Sequence, residues 1–308
     1  MLHRRLVALL VAAVLLVPLL LSAGTAAAAG RRSDVPPSED YPRLPNPRCV
    51  TGDQRVPQDA RVCHLKPFRK ERPTVVLWGD SHAWMLVPAL LRQAETDRVN
   101  PDVVTLGACP PLMVTAPKPG ERFGSKCERQ NYNARQYVLR LKRAHRPVRV
   151  IFAANWVGYR QIYRESQGGT VPTTYEPYAV EMANLFHRGT PAMFRKMGRV
   201  GIDVDVVGQI LTVPRPAPFC LAGDQPYSCP MVRAQAIPEE QETRDWVHRQ
   251  MDKLAGTPRY IDVNDRMCDA TTCQAKIDGI YTFFDDLHLS ATRSRTLHGK
   301  LHRSLLFP

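Results

Sequence analysis

The chain has 308 residues, 44% of them hydrophobic, which is ample for one α/β domain of ordinary size. After the first thirty residues no segment is long and apolar enough to span a bilayer, which excludes a multi-span membrane protein. Forty-two Lys and Arg against 29 Asp and Glu give a formal charge of +13; on an exported chain this offers anionic envelope polymers and lipid headgroups as charged partners, and nucleic acid is not expected.

Residues 1–29 have the pattern of a secretory signal peptide: Arg4 and Arg5, an apolar run from Leu6 to Ser22, then the small residues Ala26 to Ala29. The run is also long enough for an uncleaved anchor, and any membrane attachment would be through this segment alone. Pro18 and the alanine tract favour cleavage, so a secreted or envelope location is expected. Residues 30–72 are rich in Pro, Ser and charge and read as a linker and N-terminal arm, pinned as a loop by Cys49 and Cys63. Regular structure is expected over 73–308.

Thr74 to Trp78 is a β-branched run after Pro73 and predicts a buried strand. A turn at Gly79 to His82 leads into a helix over 83–96. Further strands are predicted at Val103 to Leu106, Val148 to Ala153, Ile202 to Ile210 and Arg259 to Val263. Helices are predicted over 128–145, 176–197 with a break near Gly189, and 238–254, and Ser290 caps a last helix reaching about Leu305. Alternating strands and helices predict a three-layer α/β/α sandwich with a mainly parallel five-stranded sheet, flavodoxin-like in architecture. Ligands in such sheets sit beyond the carboxyl ends of the strands, where Ser81, Gly107, Asn155 and Asp262 fall.

The eight cysteines stand at 49, 63, 109, 127, 220, 229, 268 and 273. An even set in an exported chain reads as four disulfides, and no Cys-x-x-Cys spacing suggests zinc. Neighbour pairing gives Cys49–Cys63, Cys109–Cys127, Cys220–Cys229 and Cys268–Cys273, one choice among about a hundred.

Gly79-Asp80-Ser81-His82 places a serine where a buried strand turns into a helix, beside amides that can stabilise developing negative charge. A serine needs a positioned base, and Asp285-Asp286-Leu287-His288 near the chain end supplies an imidazole with a carboxylate to orient it. Either half alone is weak, since Ser81 could simply cap a helix and Gly107 could simply permit a tight turn.

Together these residues resemble the SGNH, or GDSL, hydrolase family over roughly residues 74–305. The resemblance implies a catalytic triad of Ser81, His288 and Asp285. It also implies an oxyanion hole from the amides of Ser81 and Gly107 and the side chain of Asn155. His82 and Trp156 are weaker candidates for substrate contact. Gly-Asp-Ser-His, Gly107-Ala-Cys109-Pro-Pro-Leu112 and Asp-x-x-His-Leu-Ser are similar to the periplasmic SGNH domains fused to OafA-type polysaccharide O-acyltransferases. The multi-helix membrane half of that group is not in this sequence. The resemblance therefore implies an esterase or O-acyltransferase acting on acyl, foremost acetyl, esters of envelope or extracellular polysaccharide. A separate membrane acyltransferase is a candidate partner, and neither cofactor nor metal is expected. The alternative is an inactive SGNH-fold glycan-binding or accessory protein. A two-metal phosphoesterase is disfavoured because Gly-Asn-His and Gly-His-x-His are lacking.

Overall fold

Six consecutive buried residues, Thr74 to Gly79, form β2 at the centre of the sheet. Such a run needs apolar cover on both faces. Val75 and Leu77 pack into one apolar cluster, and Val76 and Trp78 into another on the opposite face. The computed structural model describes residues 37–46, 49, 55–57, 61–114, 123–167, 177–214 and 229–307. The expected signal peptide and Cys220 lie outside the described residues, all of which fall within one unit, Ser33–Pro308.

The sheet is built from β1 (Cys63–His64), β2, β3 (Asn100–Thr105), β4 (Val148–Ala153), β5 (Asp203–Val207) and, after a two-residue strand β6 (Met231–Val232) outside it, β7 (Tyr260–Ile261). Their spatial order is β1-β3-β2-β4-β5-β7. The last five are mutually parallel, with Leu77 opposite Val103 on one side and Ile151 on the other. The expected five-stranded parallel sheet is therefore present, and β1 adds an antiparallel edge by pairing Cys63 with Val103 and His64 with Asp102. Residues 49–72 were expected to form only a loop; a two-residue strand is too short to show periodicity in sequence. On one face lie α1 (Ser81–Trp84), α2 (Val87–Asp97) and the terminal α8 (Ala291–Thr296) and α9 (His298–Leu305). On the other lie α3 (Phe123–Arg143), α4 (Trp156–Gln167), α5 (Pro177–Arg199) and α7 (Glu240–Met251). The single-turn α6 (Arg233–Ala236) precedes α7, and its Ala236 packs into the first cluster. Helix α5 runs unbroken past Gly189 and through Pro191.

Cys49–Cys63, Cys109–Cys127 and Cys268–Cys273 are bonded as neighbour pairing predicts, and Cys229 is disulfide-bonded. Buried Asn131 joins the loop after β3 to the sheet. Its Oδ1 accepts from Trp78 Nε1 and Leu112 N–H, and its Nδ2 donates to the Pro110 and Cys127 carbonyls. The early residues are docked as well: Asp40 accepts from Thr292 N–H at the start of α8, and Tyr41 packs on Phe284.

Gly79 of β2 lies against the Ala153 carbonyl at the end of β4. A Cβ there would stand 1.7 Å from the Ala153 carbonyl oxygen, in backbone that cannot retreat without breaking the ladder. Gly79→Ala is expected to cost at least about 4 kcal/mol, at the extreme of single substitutions. Loss of soluble folded protein, or a large fall in the urea midpoint, checks this.

Candidate active site

The loops that follow β2, β4, β5 and β7 open on one edge of the sheet and carry the polar residues Ser81, Asn155, Gln209 and Asp262. Ser81 is the first residue of α1, a half-buried serine whose own N–H belongs to the helix turn without intrahelical carbonyl partners. Asp80 caps that turn, accepting from His82 N–H at 2.7 Å. The other oxygen of Asp80 accepts from Asn155 N–H at 2.9 Å and from the Tyr159 hydroxyl at 2.8 Å. One buried carboxylate thus ties the loop after β2 to the loop after β4. Burial pushes the Asp80 carboxyl above its ordinary pKa, and the hydrogen bonds from Asn155, His82 and Tyr159 offset part of that push.

His288 reaches the same place from the far end of the chain. Its ring Nδ1 lies 2.8 and 2.9 Å from the two oxygens of Asp285, and Asp285 also accepts from the N–H groups of Leu287 and His288. Burial alone would raise the Asp285 carboxyl; the His288 ring and the two backbone donors outweigh it and hold the pKa low. A carboxylate at Nδ1 fixes the proton there, which leaves Nε2 as the basic nitrogen. Nε2 is buried and makes no hydrogen bond among the described residues, the Ser81 hydroxyl included. The ring packs edge-on to Trp84 of α1 at 5.8 Å and lies 6.0 Å from the ring of His82, the residue after Ser81. Leu289 N–H reaches Met85 Sδ at 3.3 Å, so the base-bearing loop is seated on the helix that Ser81 opens.

Four residues sit differently from the sequence expectation. The Gly107 N–H donates to the Pro57 carbonyl at 2.9 Å, so this amide is already engaged and is not a spare oxyanion donor. Trp156 is fully buried, with its Nε1 donating to the Val207 carbonyl, and presents no face to a sugar. His82 is 1% exposed, which removes it from substrate contact. Asp262 accepts from Arg244 and from Asn264 N–H, and so serves the loop after β7 rather than the triad. Asn155 does line a cleft of about 620 Å³, together with Gly158, Gln161, Thr212 and Leu287, the neighbour of His288. Tyr159 and Gln209 were missed in sequence, since neither belongs to a recognisable motif.

Two histidines set opposite limbs of the stability profile. Burial, then the neighbouring His288, holds the His82 pKa down at about 3, so the unfolded chain takes up this proton more readily. That contribution is complete above about pH 6.5 and is lost as the pH falls toward 3. Half-exposed His64 hydrogen-bonds Asp102 at 2.7 Å, which raises its pKa against the opposing effect of burial. Its contribution is complete below about pH 6.5 and is lost as the pH rises through the elevated folded value. Tm is expected to fall on both sides, with His82→Gln flattening the acid limb between about pH 6.5 and 4 and His64→Gln the alkaline one. Unchanged limbs in these variants would contradict the assignment.

The sequence matches a family model described as SGNH domain (fused to AT3 domains) over residues 48–303. No curated protein matches it. Among solved structures it is similar to the periplasmic domain of a lipopolysaccharide acetyltransferase from Salmonella ser. Paratyphi A, at 16% identity and a TM-score of 0.49, covering 77% of this chain and 85% of that one. It is also similar to a carbohydrate acetylesterase from Sinorhizobium meliloti, at 13% identity and a TM-score of 0.36, covering 76% and 97%. An aryl esterase from M. smegmatis follows at 15% identity and a TM-score of 0.35, covering 76% and 100%.

Proposed function

The chain belongs to the SGNH domain family, whose chemistry is acyl-ester hydrolysis or acyl transfer, and on that premise we propose that it is a serine-dependent esterase or O-acyltransferase acting on acetyl esters of envelope or extracellular polysaccharide. The observation that carries this reading is the His288 ring, clamped at Nδ1 by Asp285 and packed edge-on to Trp84 of the helix that Ser81 opens, with its Nε2 buried. Ser81 Oγ attacks the ester carbonyl as His288 Nε2 takes its proton, and Asp285 stabilises the imidazolium. The oxyanion is met by the Ser81 N–H and by Asn155 Nδ2, since the Gly107 N–H is engaged elsewhere. Collapse breaks the ester C–O bond, and His288 returns the proton to the leaving alcohol. The acyl-serine then passes its acyl group to water or to a sugar hydroxyl: His288 removes the acceptor's proton as the acceptor oxygen attacks, and returns it to Ser81 Oγ as the acyl–serine C–O bond breaks. The cleft beside Asn155 has the volume for one or two sugar residues, and its polar lining is uncharged. Three disulfides support an oxidising, extracytoplasmic setting.

The test is a time course with p-nitrophenyl acetate, with and without a chitooligosaccharide acceptor, in wild type and Ser81→Ala, read by mass spectrometry. Acetate release that depends on Ser81, with no acetylated sugar, makes the protein an esterase. Acetylated sugar makes it a transferase. Silence in both channels overturns the catalytic reading in favour of a glycan-binding role.

A further inference from the structure

We infer that Gln209, on the loop after β5, is a positioning residue that sets which end of the Asn155 amide faces the reacting carbonyl; the inference rests on the serine-dependent reading above. An asparagine amide has nearly the same shape in its two orientations, but only one presents a donor. Presented the other way, Oδ1 would repel the oxyanion it is meant to stabilise. Something must therefore hold the amide against inversion.

The structure shows what does. Asn155 Oδ1 accepts from Gly158 N–H at 3.2 Å and from Gln209 Nε2 at 3.2 Å. Two donors converging on one atom identify it as the oxygen and leave Nδ2, which makes no hydrogen bond among the described residues, as the end available to substrate. Gln209 is itself fixed. Its Oε1 accepts from Val157 N–H at 2.9 Å, and its Nε2 also donates to the Ile210 carbonyl at 2.9 Å. Inverting Gln209 would set an NH₂ against an N–H at one end, and an oxygen against two acceptors at the other. Gln209 is 4% exposed, so water cannot readily repair such a mismatch. The backbone beneath it is held by Asn264, whose Nδ2 donates to the Gln209 carbonyl at 2.7 Å while its Oδ1 accepts from Leu211 N–H at 3.1 Å. The amide polarity that the Val157 N–H and the Ile210 carbonyl impose on Gln209 is thus passed on to Asn155. Gly158 permits the contact, because a Cβ there would lie 2.7 Å from Asn155 Nδ2. With the Gly107 N–H occupied, fewer donors remain for the oxyanion and the orientation of Asn155 matters more.

The experiment is a double-mutant cycle on ester turnover, using p-nitrophenyl acetate and the full mature chain. Asn155→Ala is expected to lower kcat by about 10²-fold, the scale of one lost oxyanion donor. Gln209→Glu keeps an acceptor for Val157 N–H but offers Asn155 a carboxylate oxygen, which draws Nδ2 inward and turns Oδ1 toward the substrate. It should lower kcat by a similar factor with KM nearly unchanged. Gln209→Met, close in shape and without the amide, should lower kcat about tenfold, and it keeps the test open if the glutamate variant does not fold. In the Asn155→Ala background either Gln209 change should have little further effect. Additive losses across the cycle, or a loss in KM alone, would show Gln209 to be merely structural and overturn the inference. Turnover that survives Ser81→Ala would instead overturn the serine-dependent reading on which it stands.

Discussion

Ser81→Ala and His288→Ala are each expected to lower ester turnover by about 10³–10⁶-fold, and the double variant to be scarcely slower than the worse single one. The non-additivity follows from the mechanism. Without Ser81 there is no hydroxyl for His288 to deprotonate, and without His288 the hydroxyl stays protonated, so either loss removes the same step. The two side chains also differ in what they support. The Ser81 hydroxyl accepts no hydrogen bond among the described residues, so its alanine variant should melt close to wild type. His288 packs against Trp84 and Phe284, and its removal should cost some stability as well. Asp285→Asn tests the clamp separately: an amide can present NH₂ to Nδ1 and so favour the wrong tautomer, with a loss of about 10⁴-fold expected. Asp286→Asn should be far milder, because both carboxylate oxygens at His288 Nδ1 belong to Asp285. Kinetics of the four variants with one ester substrate, alongside melting curves, check the whole set. Comparable losses at Asp285 and Asp286 would mean that the carboxylate has been misassigned.

The parts legible in the sequence were those that a short window can carry. β2 and β4 are dense in Val, Ile and Leu, and a strand buried on both faces must be so; their limits were read almost residue by residue. Ser290 was read as a helix cap from residue type alone, and its hydroxyl does accept from Arg293 N–H. Asp-x-x-His was legible because an aspartate three residues before a histidine can fold back on it locally. What escaped depends on partners distant in sequence. The Gly107 amide is of the right kind in the right place, yet it is taken by a carbonyl fifty residues earlier in the chain. Trp156 follows a strand end, as a sugar-stacking residue would, but the helix it begins turns its ring into the core. Gln209 carries no motif, because its role exists only once Val157 and Asn155 have been brought alongside it.

Asp80→Ala should be the most damaging substitution at the site that removes no reacting atom. Three donors end on this carboxylate: His82 N–H on one oxygen, Asn155 N–H and the Tyr159 hydroxyl on the other. The carboxylate is 1% exposed, and alanine would leave these donors facing a small buried gap. At about 1–3 kcal/mol for each unsatisfied buried group, with some relief from entering water, a loss of roughly 3–5 kcal/mol is expected. Asp80→Asn should cost less, because the retained oxygen can still serve His82 and the Tyr159 hydroxyl can turn to accept from the new NH₂. The Asn155 N–H then remains unpaired at about 1–3 kcal/mol. Tyr159→Phe removes a single donor and should cost about 1 kcal/mol. Activity should fall beyond what the lost stability explains, because Asp80 holds the Ser81 turn against the loop that carries Asn155. Even well-folded Asp80→Asn should therefore show a reduced kcat at temperatures far below its Tm. Urea denaturation gives the stability order, and kcat measured on folded protein separates the two effects. If Asp80→Asn kept wild-type kcat, the carboxylate would be a brace for the fold alone, and the registration of the two loops would have to rest on the sheet.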